Sequence, residues 1–111
     1  MSWLKEVIGT EKAIIAMLHM QPMPGDPYFD KAKGMKWVIE KAREDLDALQ
    51  EGGVDAIMFS NEYSLPYLTD VKKETVAAMA RVIGELQPEI RIPYGVNVLW
   101  DPKASLDLAA A

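Results

Sequence analysis

Largely apolar runs and amphipathic segments alternate along this chain in a repeated order. The strand-like runs occupy residues 13–18, 54–59 and 92–99, and the first of them, which has no polar residue, is typical of a strand buried on both faces. Each run is followed by a loop and then by a segment with apolar residues at helical spacing. Strands that alternate with helices are typical of parallel βα units, so the pattern predicts an α/β fold.

Two long helices are predicted between the strands. The first covers Met35 to Glu51 and ends at Gly52-Gly53, a pair suited to a left-handed cap. The second has Thr69 or Asp70 as its N-cap and stops at Pro88. Their buried stripes are predicted at Val38, Ala42, Leu46 and Leu49 in the first helix and at Val76, Met79, Ile83 and Leu86 in the second.

The two ends of the chain also favour helix. Residues 2–9 place their apolar positions on one face, and Gly9 closes this short segment, which is positioned to cover the N-terminal end of a barrel. After the third strand, Asp101 and Pro102 have the order of an N-cap and a first helical residue.

Chain length limits how much of a barrel these elements can build. A complete eightfold barrel needs roughly 250 residues, whereas this chain has 111. We therefore expect residues 1–111 to form a single partial domain, with helix 2–9 followed by the first three βα units of a truncated TIM-like (βα)8 barrel. Such an arc leaves two strand edges and one face uncovered, so we expect a homo-oligomer or a part of a longer chain.

Composition and charge narrow the functional classes. Half of the residues are hydrophobic, the net charge is −5, and no basic run occurs, which disfavours nucleic-acid binding. The absence of cysteine excludes disulfides, thiolate metal sites and cysteine nucleophiles, and it fits a reducing cytosol. Neither a signal peptide nor an apolar run of about 18 residues is present, so we expect a cytoplasmic protein without a transmembrane segment.

Topology predicts where a ligand site lies. In βα-barrels and open α/β sheets the ligand binds at the carboxyl ends of the strands, where the βα loops converge. The loop after the first strand, residues 20–34, contains three prolines within six residues, which is typical of a stiff functional loop. The candidate residues selected by this rule are His19, Asn97 and Asp101 as catalytic groups, and Asn61, Glu62, Gly25 and Trp100 as substrate-binding groups.

Each candidate also has a structural interpretation. His19, the single histidine, is either an acid–base or carbonyl-polarising group or a strand-end residue that holds the proline loop. Asn97 either contacts ligand from inside a barrel or bonds a neighbouring loop, and helix capping alone explains Asp101. Gly25 lets backbone approach an anion, but a lone glycine is a weak phosphate signal.

The carboxylates do not define a metal centre. Glu62, Asp101 and His19 together have the chemistry of a divalent-metal or acid–base site, but their spacing enforces no ligand geometry, and we predict no metal. No nucleotide-binding glycine motif occurs, and the sequence identifies no cofactor.

Three segments resemble motifs of the BtpA family. The segment HMQPMPGDP at 19–27 resembles the family's H-L-x-P-L-P-G-x-P, and GVDAIMFSN at 53–61 resembles G-x-D-x-I-x-x-E-N. The segment YGVNVL at 94–99 contains the family's G-x-N-V-L. Ser60 stands where photosynthetic members have Glu, and Trp100-Asp101-Pro102 replaces an R-N-D triplet. With FSNEYSLPY at 59–67, the chain resembles the SgcQ-like branch more closely.

The resemblance implies a TIM-like barrel and two functional hypotheses. The first is a protein that binds or converts a small phosphorylated or sugar-like metabolite at the strand ends. The alternative is a non-catalytic biogenesis or stability factor for a membrane complex of the photosystem I type. His19, Asn61 and Asn97 are the motif positions that carry over, and three of the eight units alone are expected to be inactive.

Overall fold

The computed structural model describes residues 3–111, and its main elements follow the order that the sequence predicts. Each strand is followed by a loop and a helix, and a short 3-10 turn at Gln87–Glu89 precedes the last strand. The elements are α1 (Trp3–Val7), β1 (Ile15–His19), α2 (Gly34–Glu51), β2 (Ala56–Ser60), α3 (Lys73–Leu86), β3 (Tyr94–Asn97) and α4 (Pro102–Ala110).

Within the described residues, the strands form one parallel sheet in the order β1-β2-β3. Parallel strands that are consecutive in both sequence and space, joined by right-handed crossovers, place their helices on one face of the sheet. Burial agrees with this arrangement, because alternate strand residues enter the hydrophobic core beside α2 and α3. These core residues of the sheet are Leu18, Ile57 and Phe59, with Val98 just beyond β3.

The other face of the sheet is open. Ile15 and Met17 of β1 point away from the core and are 44% and 43% exposed. The prediction of a first strand buried on both faces is therefore wrong for the chain as it stands, because all the helices that follow the strands pack on one side. We call this open surface the inner face.

Helix α2 packs the predicted stripe against the sheet. Val38, Ala42 and Leu46 are buried, Ile39 joins them, and Leu49 at the helix end is half-buried. The helix stops because Gly53 takes a φ of +82°, a left-handed conformation that residues with a Cβ rarely adopt.

Helix α3 begins later than predicted, and neither Thr69 nor Asp70 caps it. Lys72 is extended, with a ψ of 150°, and the helix starts at Lys73. The preceding Val71 N–H is instead bonded to the Asp101 carboxylate at 3.0 Å, which holds this segment against the start of α4. The stripe itself is confirmed at Met79, Ile83 and Leu86, whereas Val76 is half-buried.

The N-terminal helix is shorter than expected. It covers Trp3–Val7, buries no residue, and is followed by Gly9 at a φ of +95°, while the predicted first residue, Ser2, lies outside the described residues. The predicted cover at the N-terminal end of a barrel stays a prediction. Over residues 3–111, no helix combines the length and apolar composition that crossing a bilayer requires.

Candidate functional site

The last residues of the three strands form a polar row on the inner face. In the strand register, His19 lies beside Ser60, and Ser60 lies beside Asn97. In-register residues of parallel strands point to the same side of a sheet, with neighbouring strands about 4.8 Å apart. The core residues that precede them, Leu18 and Phe59, point to the opposite side. The fold thus brings His19 and Asn97 to one edge, as predicted, with Ser60 between them.

The side chains of the row form no hydrogen bonds within the described residues. His19 contacts the Tyr63 ring edge-on, with 5.9 Å between ring centroids, and forms no side-chain hydrogen bond within residues 3–111. The Asn97 amide is half-buried and likewise unbonded within that range. Ser60 is 0% exposed, and among the described residues its Oγ is the buried side-chain atom that lacks a partner.

Sequence reasoning did not select Ser60. A single serine at the end of a strand forms no recognisable sequence pattern, and the family motif has glutamate at this position. The parallel register supplies what the sequence could not, because it aligns the ends of three strands that are separated by about 40 residues of chain.

Asn61 is part of the frame that supports the row. Its Oδ1 accepts the Leu99 N–H at 2.6 Å, and its Nδ2 donates to the Leu99 carbonyl at 3.2 Å. The residue is 1% exposed, and both of its polar side-chain atoms bond to the loop after β3. The predicted substrate contact of Asn61 therefore stays a prediction, while its positioning role is visible.

Asp101 is the N-cap of α4, as the sequence predicts. Oδ1 accepts the Ala104 N–H at 2.9 Å, and Oδ2 accepts the Val71 N–H at 3.0 Å. These amide bonds hold the pKa of the Asp101 carboxyl below its ordinary value, against the opposing effect of burial. Both oxygens are engaged, and the catalytic role of Asp101 is not shown.

The proline loop is fastened to the next loop through Asp26, which sequence reasoning also missed. Asp26 Oδ2 accepts hydrogen bonds from the Met23 N–H at 2.7 Å and from the Ser64 hydroxyl at 2.6 Å. Met20 and Met23 anchor the same loop in the core. Hydrogen bonds and core packing therefore hold the loop that follows His19, which agrees with the stiffness expected from its prolines.

The backbone conformation of Gly25 and its contact with Glu74 of α3 explain why a glycine is needed at this position. Its φ is +95°, and a Cβ at this position would lie 2.9 Å from Glu74 Cγ. Its carbonyl also accepts a hydrogen bond from Lys72 Nζ at 3.4 Å. The Glu74 side chain thus lies beside Gly25, and ligand binding by Gly25 stays a prediction.

Substituting Gly25 is expected to reduce stability. Gly25→Ala should lower the free energy of unfolding by about 1–2 kcal/mol, because alanine is strained at positive φ and meets Glu74. Gly84→Ala in α3 is the control: a Cβ there meets nothing within 4 Å, so this change should raise stability by up to about 1 kcal/mol. Urea unfolding of both variants tests the difference in sign, and a neutral Gly25→Ala would refute the steric argument.

The rim of the site is aromatic. The Tyr67 and Trp100 rings lie 5.1 Å apart, and Trp100 is 59% exposed. The Tyr67 hydroxyl donates to the Glu62 carbonyl at 2.5 Å, and desolvation, with the nearby Glu62 carboxylate, raises the pKa of Tyr67. Within residues 3–111, neither Glu62 nor Trp100 forms a hydrogen bond to His19, Ser60 or Asn97, and their substrate-binding roles stay predictions.

The acidic residues near the strand ends do not gather around a common point. Among residues 3–111, no three His, Cys, Asp or Glu side chains are grouped closely enough to hold a metal ion. In particular, His19, Glu62 and Asp101 do not form such a group.

These features define a parallel α/β protein with a row of polar side chains at the carboxyl ends of its strands. The BtpA family model matches residues 10–111, and the chain belongs to the BtpA family.

The relatives of this chain are longer proteins. The putative sgc region protein SgcQ of Escherichia coli is 72% identical over the whole chain, which spans 41% of that relative's length. An uncharacterized protein of Archaeoglobus fulgidus is 40% identical over 91% of the chain and 40% of its own length. The photosystem I biogenesis protein BtpA of Synechocystis is 31% identical over 96% of the chain and 37% of its own length. The chain therefore spans about two-fifths of these relatives, and no solved structure matches it.

Proposed function

We propose that this chain supplies part of the ligand site of a βα-barrel protein that binds or converts a small sugar-like or phosphorylated metabolite. The observation that carries the proposal is the in-register row of His19, Ser60 and Asn97 on the inner face. A buried polar group such as the Ser60 hydroxyl is costly unless it is bonded. A row of polar groups with unused capacity at the carboxyl ends of parallel strands is typical of a binding site.

The sheet order is compatible with the barrel part of this proposal. A doubly wound sheet reverses its strand order so that helices cover both faces, whereas a barrel adds strands in sequence and keeps its helices outside. The order β1-β2-β3 with an open inner face agrees with the barrel plan, and it agrees equally with one half of a doubly wound sheet before its reversal. Exposed Ile15 and Met17 favour further cover by more strands or by a second copy of the chain.

Each candidate residue has a role in this proposal. His19 is the acid–base or carbonyl-polarising group, and Asn97 orients the ligand through its amide. Asn61 and Asp101 are positioning residues, because their polar atoms hold backbone around the row. Glu62, Trp100 and Gly25 line the rim at which the ligand enters.

A second candidate function rests on the Synechocystis relative, whose name describes biogenesis of photosystem I. In that hypothesis the chain belongs to a non-catalytic assembly or stability factor, and the open inner face or the rim contacts a protein subunit. The unbonded row favours the small-molecule hypothesis, since a protein contact does not need polar groups recessed at strand ends.

Binding measurements with substituted strand ends test the proposal. NMR shift mapping with D-ribose and D-ribose 5-phosphate should show perturbed amides around residues 19, 60 and 97. His19→Ala and Asn97→Ala should each weaken binding about three- to tenfold, as expected for loss of one ligand hydrogen bond. Their thermal midpoints should change little, because neither side chain forms a hydrogen bond within residues 3–111, and His19 has only an edge-on ring contact with Tyr63.

Gln87→Ala is the matched control for Asn97→Ala. It removes an amide whose partner is the Tyr94 hydroxyl at the opposite end of the strands, so its binding should match the parent chain. Perturbations scattered away from the strand ends, or equal affinity in all three variants, would contradict a ligand site here. Co-purification of a membrane complex through the same face would favour the assembly factor instead.

A further inference from the structure

The Ser60 hydroxyl is buried, and the part of the chain that the structure describes offers it no partner. It is 0% exposed, and its Oγ bonds to nothing within residues 3–111. Burying a hydroxyl without a hydrogen bond is unfavourable, and most buried polar side-chain atoms in native proteins are paired. The Ser64 and Ser105 hydroxyls, four and 45 residues further along the chain, are both bonded.

The backbone of Ser60 is already used by the sheet. Its carbonyl accepts the Met20 N–H at 2.9 Å, which closes the end of the β1–β2 ladder. The side chain is therefore the free group at this position. It occupies the middle of the row because β2 is the central strand, with His19 on one side and Asn97 on the other.

We propose that Ser60 is a ligand-binding residue whose hydroxyl pairs with a hydroxyl or carbonyl oxygen of a neutral, polyhydroxylated part of the ligand. This inference rests on the proposed function and names the ligand chemistry that the centre of the row accepts. Imidazole, hydroxyl and amide groups each provide donors and acceptors, which suits a group that both gives and takes hydrogen bonds. Within residues 3–111, no three acidic, histidine or cysteine side chains lie close enough together to hold a metal ion.

A ligand-free stability measurement separates this role from a structural one. Ser60→Ala removes a hydroxyl that has no partner, so the thermal midpoint should stay the same or rise. Ser64→Ala is the matched control, because it removes a buried hydroxyl that donates to Asp26 at 2.6 Å, and its midpoint should fall. A fall in Ser60→Ala as large as that in Ser64→Ala would show that Ser60 serves the fold and would overturn the proposal.

Binding to the two sugar probes gives the second readout. Ser60→Ala should weaken the binding of D-ribose and of D-ribose 5-phosphate by the same factor, about three- to tenfold, which is the usual contribution of one hydrogen bond. Ser60→Cys keeps a side chain of similar shape with a much weaker hydrogen-bonding group, so it should show a similar loss. A loss confined to the phosphate ester would assign Ser60 to the phosphate and overturn the proposal.

The outcomes distinguish this inference from the function on which it rests. If His19→Ala and Asn97→Ala lose binding while both Ser60 variants keep it, the row is a ligand site and the role of Ser60 is refuted. If none of the four variants changes the binding of either probe, the ligand site and the role of Ser60 are both refuted.

Discussion

Replacing Asn61 with alanine is expected to lower the free energy of unfolding by about 3 kcal/mol, because the change leaves two backbone groups of Leu99 unpaired. Each lost partner costs about 1–3 kcal/mol when the remaining group is shielded from water, and Asn61 is 1% exposed. For a chain of this size the thermal midpoint should fall by more than about 10 °C. Calorimetry or urea unfolding measures the effect.

Gln50→Ala is the control for this prediction, since Gln50 forms the same kind of paired amide contact in a more open setting. Its Oε1 accepts the Arg91 N–H at 2.7 Å, and its Nε2 donates to the Glu89 carbonyl at 3.1 Å. Water can replace these bonds, so we expect a loss of about 1 kcal/mol. Equal losses of unfolding free energy in the two variants would show that the burial of Asn61 does not strengthen its contribution to stability.

The second large effect is an acid dependence of stability that comes from Asp101. Its pKa is lowered in the folded chain by the amides of Ala104 and Val71, and an unfolded aspartate titrates near about 3.9. Ionised Asp101 therefore favours the fold fully above about pH 4, and this contribution is lost as the pH falls through the lower folded-state pKa. Acid protonates the carboxylate that joins α4 to the segment before α3.

Asp101→Asn tests this dependence. At neutral pH the variant should be clearly less stable than the parent chain, because its amide cannot accept from both backbone N–H groups at once. The difference in unfolding midpoint should shrink as the pH falls below about 4. Asp47→Asn, which alters an exposed carboxylate on α2 without a hydrogen bond in the described chain, should keep the acid dependence of the parent. A difference that is constant with pH would refute the assignment.

The sequence predicts the kinds and order of elements well, because helical periodicity and apolar runs are local properties. The ends of the strands are less accurate: β1 begins at Ile15 instead of Ala13, β2 at Ala56 instead of Val54, and β3 covers Tyr94–Asn97 instead of 92–99. A strand extends only as far as its neighbour pairs with it, and the extent of pairing is not written in either strand alone.

Contacts between distant loops explain the remaining errors. The sequence predicts Thr69 or Asp70 as the N-cap of α3, because each is a good capping residue. The Asp101 carboxylate instead accepts the Val71 N–H, and the helix starts at Lys73. At the site, the strand-end rule located His19 and Asn97 but missed Ser60. Its importance depends on the register of β2 with both neighbours, and the local sequence does not contain that information.

Successive side chains of a strand point to opposite faces of the sheet, so neighbouring residues have different roles. Leu18 and Phe59 support the hydrophobic core, while the residues directly after them, His19 and Ser60, face the opposite side. At His19, which is half-buried, another polar type can therefore be accepted with little penalty to packing. A scaffold built this way allows descendants of one ancestor to acquire different chemistries while their interiors remain almost unchanged.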